Sequence, residues 1–271
     1  MRVIFGSIVL NEEEYLEANL RQHYDACDRW IIVEGSDRRY PRDRVTADGC
    51  STDRTARIVR DFPDPAGKLT YVRHGWAADK QELRNRYAEH CDGGDVVIVF
   101  DADEFLTTAG LRAVLAAMDE PPRRQPGAYV VPHVHFWHHT RQIITGGYYD
   151  VPHQRIYRWA DGARYHDDHN HPQLGPGGVF LHQLGYAVRP RTLVMKGRAA
   201  THAEPCFLHC GFVKSPENMR DKTLYYVNRG EAVDRPGTTA DRAAWFEPGA
   251  PAGCSVHAWA GPWPEALLPG A

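Results

Sequence analysis

Val96-Val97-Ile98-Val99-Phe100 runs directly into Asp101-Ala102-Asp103-Glu104, and the reading of this stretch decides the fold. A short apolar run rich in β-branched residues fits a strand buried on both faces, as in a parallel sheet. Ligands of open α/β sheets sit beyond the carboxyl ends of such strands, so the acids stand where a substrate would lie. Alternate residues of an extended segment point the same way. Asp101 and Asp103 can therefore offer oxygens to one hard divalent cation. A solvated strand end would also carry acids, so the pair has to be weighed with the segments around it.

Towards the N-terminus, Val3 to Leu10 reads as a first strand, and Tyr15, Leu16, Leu20 and Tyr24 place a helix over Glu12 to Tyr24. Trp30 to Val33 is a second strand. Ser51 or Thr52 is positioned to cap a helix that begins near Asp53, with Ala56, Ile58, Val59 and Phe62 on its apolar side. Leu69 to Val72 is a short third strand and Lys80 to Cys91 a helix with one charged face. This alternation predicts a parallel sheet with right-handed crossovers.

Beyond Asp103 the texture changes. Leu111 to Met118 is helical, Pro121 to Pro126 is a polar break, and Ala128 to Trp137 reads as one strand with Tyr129, Val131, His133, His135 and Trp137 on a shared face. Eleven of the fifteen histidines fall between His133 and His209, a concentration that points to a site. From Gly230 onward Gly, Pro, Ala and Trp dominate without periodicity. The expected organisation is residues 1–110 as one half, 111–229 as a second half of the same domain, and 230–271 as an extended, partly ordered tail.

At 271 residues and 42% hydrophobic content the chain can bury a large core. Its 35 acids against 32 bases give a net charge of -3, which supplies no positive field for nucleic acid or an anionic membrane. Cysteines 27, 50, 91, 206, 210 and 254 include no C-x-x-C pair and fit reduced thiols. No apolar stretch approaches the ~18 residues of a membrane span, and Val3 to Leu10 is too short for a signal peptide. The expected location is the cytoplasm.

Four pieces occur in order: Ser7 to Glu13 (SIVLNEE), Ile31 to Ser36 (IIVEGS) with Gly49 to Thr55 (GCSTDRT), Lys80 to Asn85 (KQELRN), and Asp101 to Leu106 (DADEFL). Together they resemble the nucleotide-sugar-binding half of a family 2 glycosyltransferase with the GT-A fold, an α/β architecture with a mostly parallel central sheet flanked by helices. The resemblance covers roughly residues 1 to 110. His209-Cys210-Gly211-Phe212-Val213-Lys214 is similar to the H-x-G-aromatic segment that lies late in many relatives.

The resemblance implies a transfer of sugar from a nucleotide donor, a UDP-sugar by family precedent, to a hydroxyl acceptor, and the lack of a membrane-length apolar stretch points to a soluble small molecule as that acceptor. It implies Mn²⁺ or Mg²⁺ held by Asp101, Asp103 and His209. Asn11, Glu12, Glu34, Lys80, Arg84, Asn85, Asp101 and Ala102 are the implied donor-binding positions. The chemistry is coherent, because the diphosphate gains charge as the glycosidic bond breaks and a cation with fixed donors stabilises it. An inverting transfer also needs a base on the acceptor side. His166 to His171 lies where relatives carry a histidine-glutamate pair. Asp168 is the first candidate and Asp167 the second, with Glu204 more distant.

Other readings stand beside these. Lys80 and Arg84 share a helix side and could pair with Asp79 or Glu82 instead of facing a donor. Arg38, Arg39, Arg42 and Arg44 form a loop without an assigned role. A metal-dependent hydrolase built on His166 to His171, a nucleotidyltransferase on a related fold, and a non-catalytic sugar-binding protein are the competing functions. The nucleotidyltransferase is disfavoured by the lack of a glycine-rich triphosphate loop in Ser7 to Glu12.

Overall fold

In the computed structural model, residues 1–119, 128–150, 153–166, 172–173, 186–187, 194–196, 199–201, 205–229, 250–251 and 253–267 are described. The first half alternates β1 (Val3–Val9), α1 (Leu16–His23), β2 (Arg29–Asp37), α2 (Thr55–Asp61), β3 (Leu69–Ala77), α3 (Lys80–Ala88) and β4 (Val96–Val99). There follow β5 (Glu104–Phe105), α4 (Thr108–Asp119), β6 (Ala128–Val131), β7 (His133–Trp137), β8 (His139–Thr145), β9 (His153–Arg158), β10 (Arg164–Tyr165) and β11 (Pro172–Gln173). The remaining elements are β12 (Tyr186–Ala187), β13 (Val194–Lys196), β14 (Ala199–Thr201), β15 (Phe207–His209), α5 (Pro216–Asn228) and β16 (Ser255–Trp259).

The larger crossovers build a sheet of order β12-β6-β9-β4-β1-β2-β3. β1 pairs in parallel with both β2 and β4, and β2 in parallel with β3, while β9 runs antiparallel to β4 and β6. Strand alternation sends side chains to two cores. Phe5, Trp30, Ile32 and Phe100 meet Leu16, Leu20, Leu111 and Val114 on one face. Ile4, Ile31, Val33 and Val97 meet Leu83, Tyr87 and Tyr157 on the other. Both faces are dry, which is why these strands read as unbroken apolar runs.

A second sheet, β13-β14-β16-β8-β7-β15-β5, stands beside the carboxyl end of β4. One expectation changes here. The segment Ala128 to Trp137 is not one strand: Pro132, which lacks an N–H for a ladder, divides it, so β6 joins the first sheet and β7 the second. The partly ordered tail of 230–271 contributes a strand to this sheet, since Ser255–Trp259 pairs antiparallel with β8, and Trp263 stacks on Phe136 at 4.8 Å between ring centroids. Short period and high Gly and Pro content hid this strand. A second change is local: neither Ser51 nor Thr52 caps α2, and the Asp53 carboxylate accepts from Thr55 N at 2.9 Å instead.

Candidate active site

Two elements hold the acidic loop that follows β4. From behind, the buried Asn19 of α1 donates its carboxamide N–H groups to the carbonyls of Glu104 at 2.6 Å, Ala102 at 3.1 Å and Asp101 at 3.4 Å. One turn on, His23 accepts from Leu106 N–H at 3.1 Å, lies 3.3 Å from Asn19 Oδ1 and stacks on Phe100 at 4.3 Å. Burial pushes His23 down to about 4, so the ring is neutral, with its proton on Nδ1 for Asn19. From the front, β5 pairs with β15 so that His209 stands opposite Glu104, and Cys210 N–H donates to Asp103 O at 2.8 Å. The late H-x-G segment is thereby fixed against the acids.

Each acid has a cationic partner. Arg155 on β9 reaches Asp101 Oδ2 at 2.6 Å and also pairs with Glu104. Burial opposes ionisation of Asp101, but Arg155 outweighs it and holds the carboxyl below its ordinary range. Glu104 is deeper, and burial pushes it up to about 7. Lys214 is the second bridge, with Nζ 2.9 Å from Asp103 Oδ2 and 2.9 and 2.8 Å from the two Glu12 oxygens. All three ammonium N–H groups are used. Burial, against the pull of Lys214 and with the push of Asp103, raises Glu12 to about 7, while Asp103 stays ionised.

His209 Nε2 lies 3.7 Å from Asp103 Oδ1, and its Nδ1 lies 2.7 Å from Nδ1 of His135. Burial keeps both rings neutral. The Nδ1 contact needs one proton, and placing it on His209 leaves the Nε2 lone pair facing Asp103. Gly211 makes this possible: a Cβ there would fall 2.2 Å from His209 Nε2 and 2.9 Å from Lys222 Nζ. Of the three implied metal ligands the structure brings Asp103 and His209 together, and Asp101 turns to Arg155. Among the described residues no three His, Cys, Asp or Glu side chains form a metal cage. Manganese and magnesium commonly use one or two protein ligands and complete their shell with water and substrate phosphate, and at bonds of about 2.1 Å the Asp103–His209 gap fits one such ion.

The loops after β1 and β2 interlock. Asn11, at φ 52, donates to Arg44 O at 2.9 Å and accepts from Thr52 N–H at 2.9 Å, a left-handed turn that asparagine tolerates well. Glu34 is fully buried, accepts from Ser51 N–H at 2.9 Å and is also bonded by the Tyr71 hydroxyl. Both of its oxygens hold protein groups. The arginine loop is structural in large part: Arg44 joins Asp221 at 2.8 Å and pairs with Glu217, both on α5, while Arg39 pairs with Asp37 and Arg42 covers Trp76.

Lys80 and Arg84 do not pair with Asp79 or Glu82. Asp79 caps α3 by accepting from Gln81 and Glu82 N–H, and Glu82 bonds His74 and Ala78 N–H. Lys80 Nζ instead lies 4.9 Å from the Tyr225 ring, and Arg84 lies over Tyr165. Burial and the nearby charges of Arg84, Arg229 and Lys222 push Lys80 down to about 8. Asn85 holds backbone: it donates to Tyr165 O at 3.0 Å and accepts from Tyr165 N–H at 2.9 Å. Lys222 donates to Gly211 O at 2.9 Å and covers Phe212. Helix α5 thus brings cations to the acidic loop. Asp167, Asp168 and Glu204 lie outside the described residues; His166 is exposed just after β10.

Sequence reasoning passed over Asn19, Arg155, Lys214 and Lys222. Asn19 had a readable signal as an amide on the apolar side of α1 between Leu16 and Leu20. Arg155 had none, because only the antiparallel insertion of β9 next to β4 brings it to Asp101.

Residues 8–170 match the sequence profile of the family described as Glycosyl transferase family 2. The match takes in more than half of the chain, so the chain belongs to this family. That family is one of glycosyltransferases, and the parallel β3-β2-β1-β4 core flanked by helices is the α/β architecture expected of it. The crystal structure of S. aureus TarS is 19% identical, covers 50% of this chain and 22% of its own length, and has a TM-score of 0.36. The S. aureus TarS 1-349 crystal structure is 14% identical, covers 91% of this chain and 69% of its own, with a TM-score of 0.41. The chain therefore spans about a fifth of the length of the longer of these two. No curated protein matches it. Among the described residues no helix is long and apolar enough to cross a membrane.

Proposed function

We propose that the chain is a metal-assisted, inverting transferase that moves one sugar from a nucleotide donor, a UDP-sugar in the first instance, to the hydroxyl of a small acceptor in the cytoplasm. The observation that carries this reading is the meeting of Asp103 and His209, 3.7 Å apart, at the mouth of β4. Mn²⁺ or Mg²⁺ held there would neutralise charge that grows on the departing diphosphate. Lys80 over Tyr225, Arg84 over Tyr165 and Lys222 at Gly211 O bring cationic side chains towards the acidic loop, which supports binding of the same diphosphate. Arg155 keeps Asp101 ionised and Asn19 keeps the loop backbone in place.

In this reading Asp168, or Asp167 beside it, removes the acceptor proton as the new bond forms. The donor is received by the nucleotide-side loops and the backbone of Ala102, with Asn11, Glu34 and Asn85 shaping those loops through the backbone groups they hold and Glu12 holding Lys214. The test is a thermal-shift screen of nucleotide sugars with and without Mn²⁺, followed by product analysis with the donor that binds. One donor should raise the melting temperature only when metal is present. Stabilisation by metal alone, with activity lost in His166→Ala and kept in Asp103→Ala, would replace the transferase reading with metal-dependent hydrolysis.

A further inference from the structure

We infer that Lys214 is a built-in placeholder for the metal: its ammonium occupies Asp103 while the donor is absent, so that the cation site is weak until a diphosphate arrives. The inference rests on the proposed metal site and goes beyond it to the order in which the ligands enter.

Lys214 is buried, with its side chain 7% exposed, and spends every N–H on carboxylate oxygens: two on Glu12 and one on Asp103 Oδ2 at 2.9 Å. That geometry belongs to a charge held in place. Asp103 Oδ1, the oxygen towards His209, is left to one side of the ammonium. A divalent ion between Oδ1 and His209 would therefore sit on the same carboxylate as a fixed positive charge. Lys222 stands close by, at Gly211 O, as a second one. Like charges this near repel strongly in a site removed from bulk water. Repulsion by the ion on Oδ1 would push the Lys214 ammonium off Oδ2, and a diphosphate brings the negative charge that relieves it: Lys214 keeps two of its bonds on Glu12 while its third N–H turns to a phosphate oxygen. Glu12 is thus the anchor that prevents Lys214 from leaving the site when Asp103 is taken by metal. The arrangement makes metal and donor bind together and disfavours a metal-loaded site open to water.

The test is Mn²⁺ titration of the donor-free protein, read by electron paramagnetic resonance, for wild type, Lys214→Met, Lys214→Gln and Lys214→Arg. Glutamine retains hydrogen-bond donors and loses only the charge, which covers the case that methionine leaves the pocket unfolded. Removing one unit charge next to the ion should tighten Mn²⁺ binding by ~10-fold or more in the neutral variants, while arginine stays near wild type. Folded Lys214→Met and Lys214→Gln proteins that bind Mn²⁺ no tighter than wild type would overturn the placeholder and leave the metal site standing. Absence of Mn²⁺ binding to wild type even with UDP present would remove the metal site and this inference together.

Discussion

Replacing Asn19 with alanine tests whether the acidic loop is held from behind. The carboxamide makes two short bonds, to Glu104 O at 2.6 Å and Ala102 O at 3.1 Å, and a marginal third to Asp101 O at 3.4 Å. Alanine removes the donors and leaves carbonyls buried without partners, at about 1–3 kcal/mol each. Counting the two short bonds gives a loss of ~2–6 kcal/mol, against which alanine returns about 0.6 kcal/mol of helix propensity in α1. The net effect of ~1.5–5 kcal/mol is a large share of the stability of an ordinary domain and should appear as a lower urea midpoint with an unchanged slope. At the site, a loop shifted by ~1 Å would lower transfer by ~100-fold even though Asn19 touches no substrate. A midpoint within experimental scatter of wild type, with full transferase activity, would refute the clamp.

Acid should destabilise the protein partly through His23, which burial holds down to about 4. The unfolded chain then binds the extra proton first, so this contribution is complete above pH ~6.5, is lost as pH falls towards ~4, and amounts to ~3 kcal/mol. Urea unfolding of His23→Phe at several pH values should show a shallower decline over that window than wild type. Gly211→Ala places a methyl group 2.2 Å from His209 Nε2, and overpacking of this kind costs ~1–3 kcal/mol. Its melting temperature should fall, and Mn²⁺ binding should weaken more than binding of a donor measured without metal.

Much of this fold is legible in the sequence because its first half obeys one rule: strands buried on both faces are apolar throughout, and the helices between them repeat every three or four residues. The site is legible where chemistry is concentrated in short segments, as in Asp101 to Glu104 and His209 to Gly211. It is illegible where a residue acts through a partner distant in the chain. Lys214 reads as the end of a motif, and only the fold shows it between Glu12 and Asp103. Glu34 reads as a strand-end acid available to a ligand, yet the fold surrounds it with Ser51 and Tyr71. Pro132 was visible in the sequence, but a strand that changes sheets needs both sheets to be known.

The position of β9 has a practical consequence for anyone dissecting this chain. Val96 to Ile98 pair on one side with β1 and on the other with Arg158 to Ile156. A fragment ending near residue 110 would strip away that second neighbour and expose a bare hydrogen-bonding edge of β-branched residues, a template for sticking to other chains. The same cut would withdraw the guanidinium that balances Asp101. The nucleotide-side half is therefore expected to be insoluble alone, and the protein's two halves to behave as one cooperative unit.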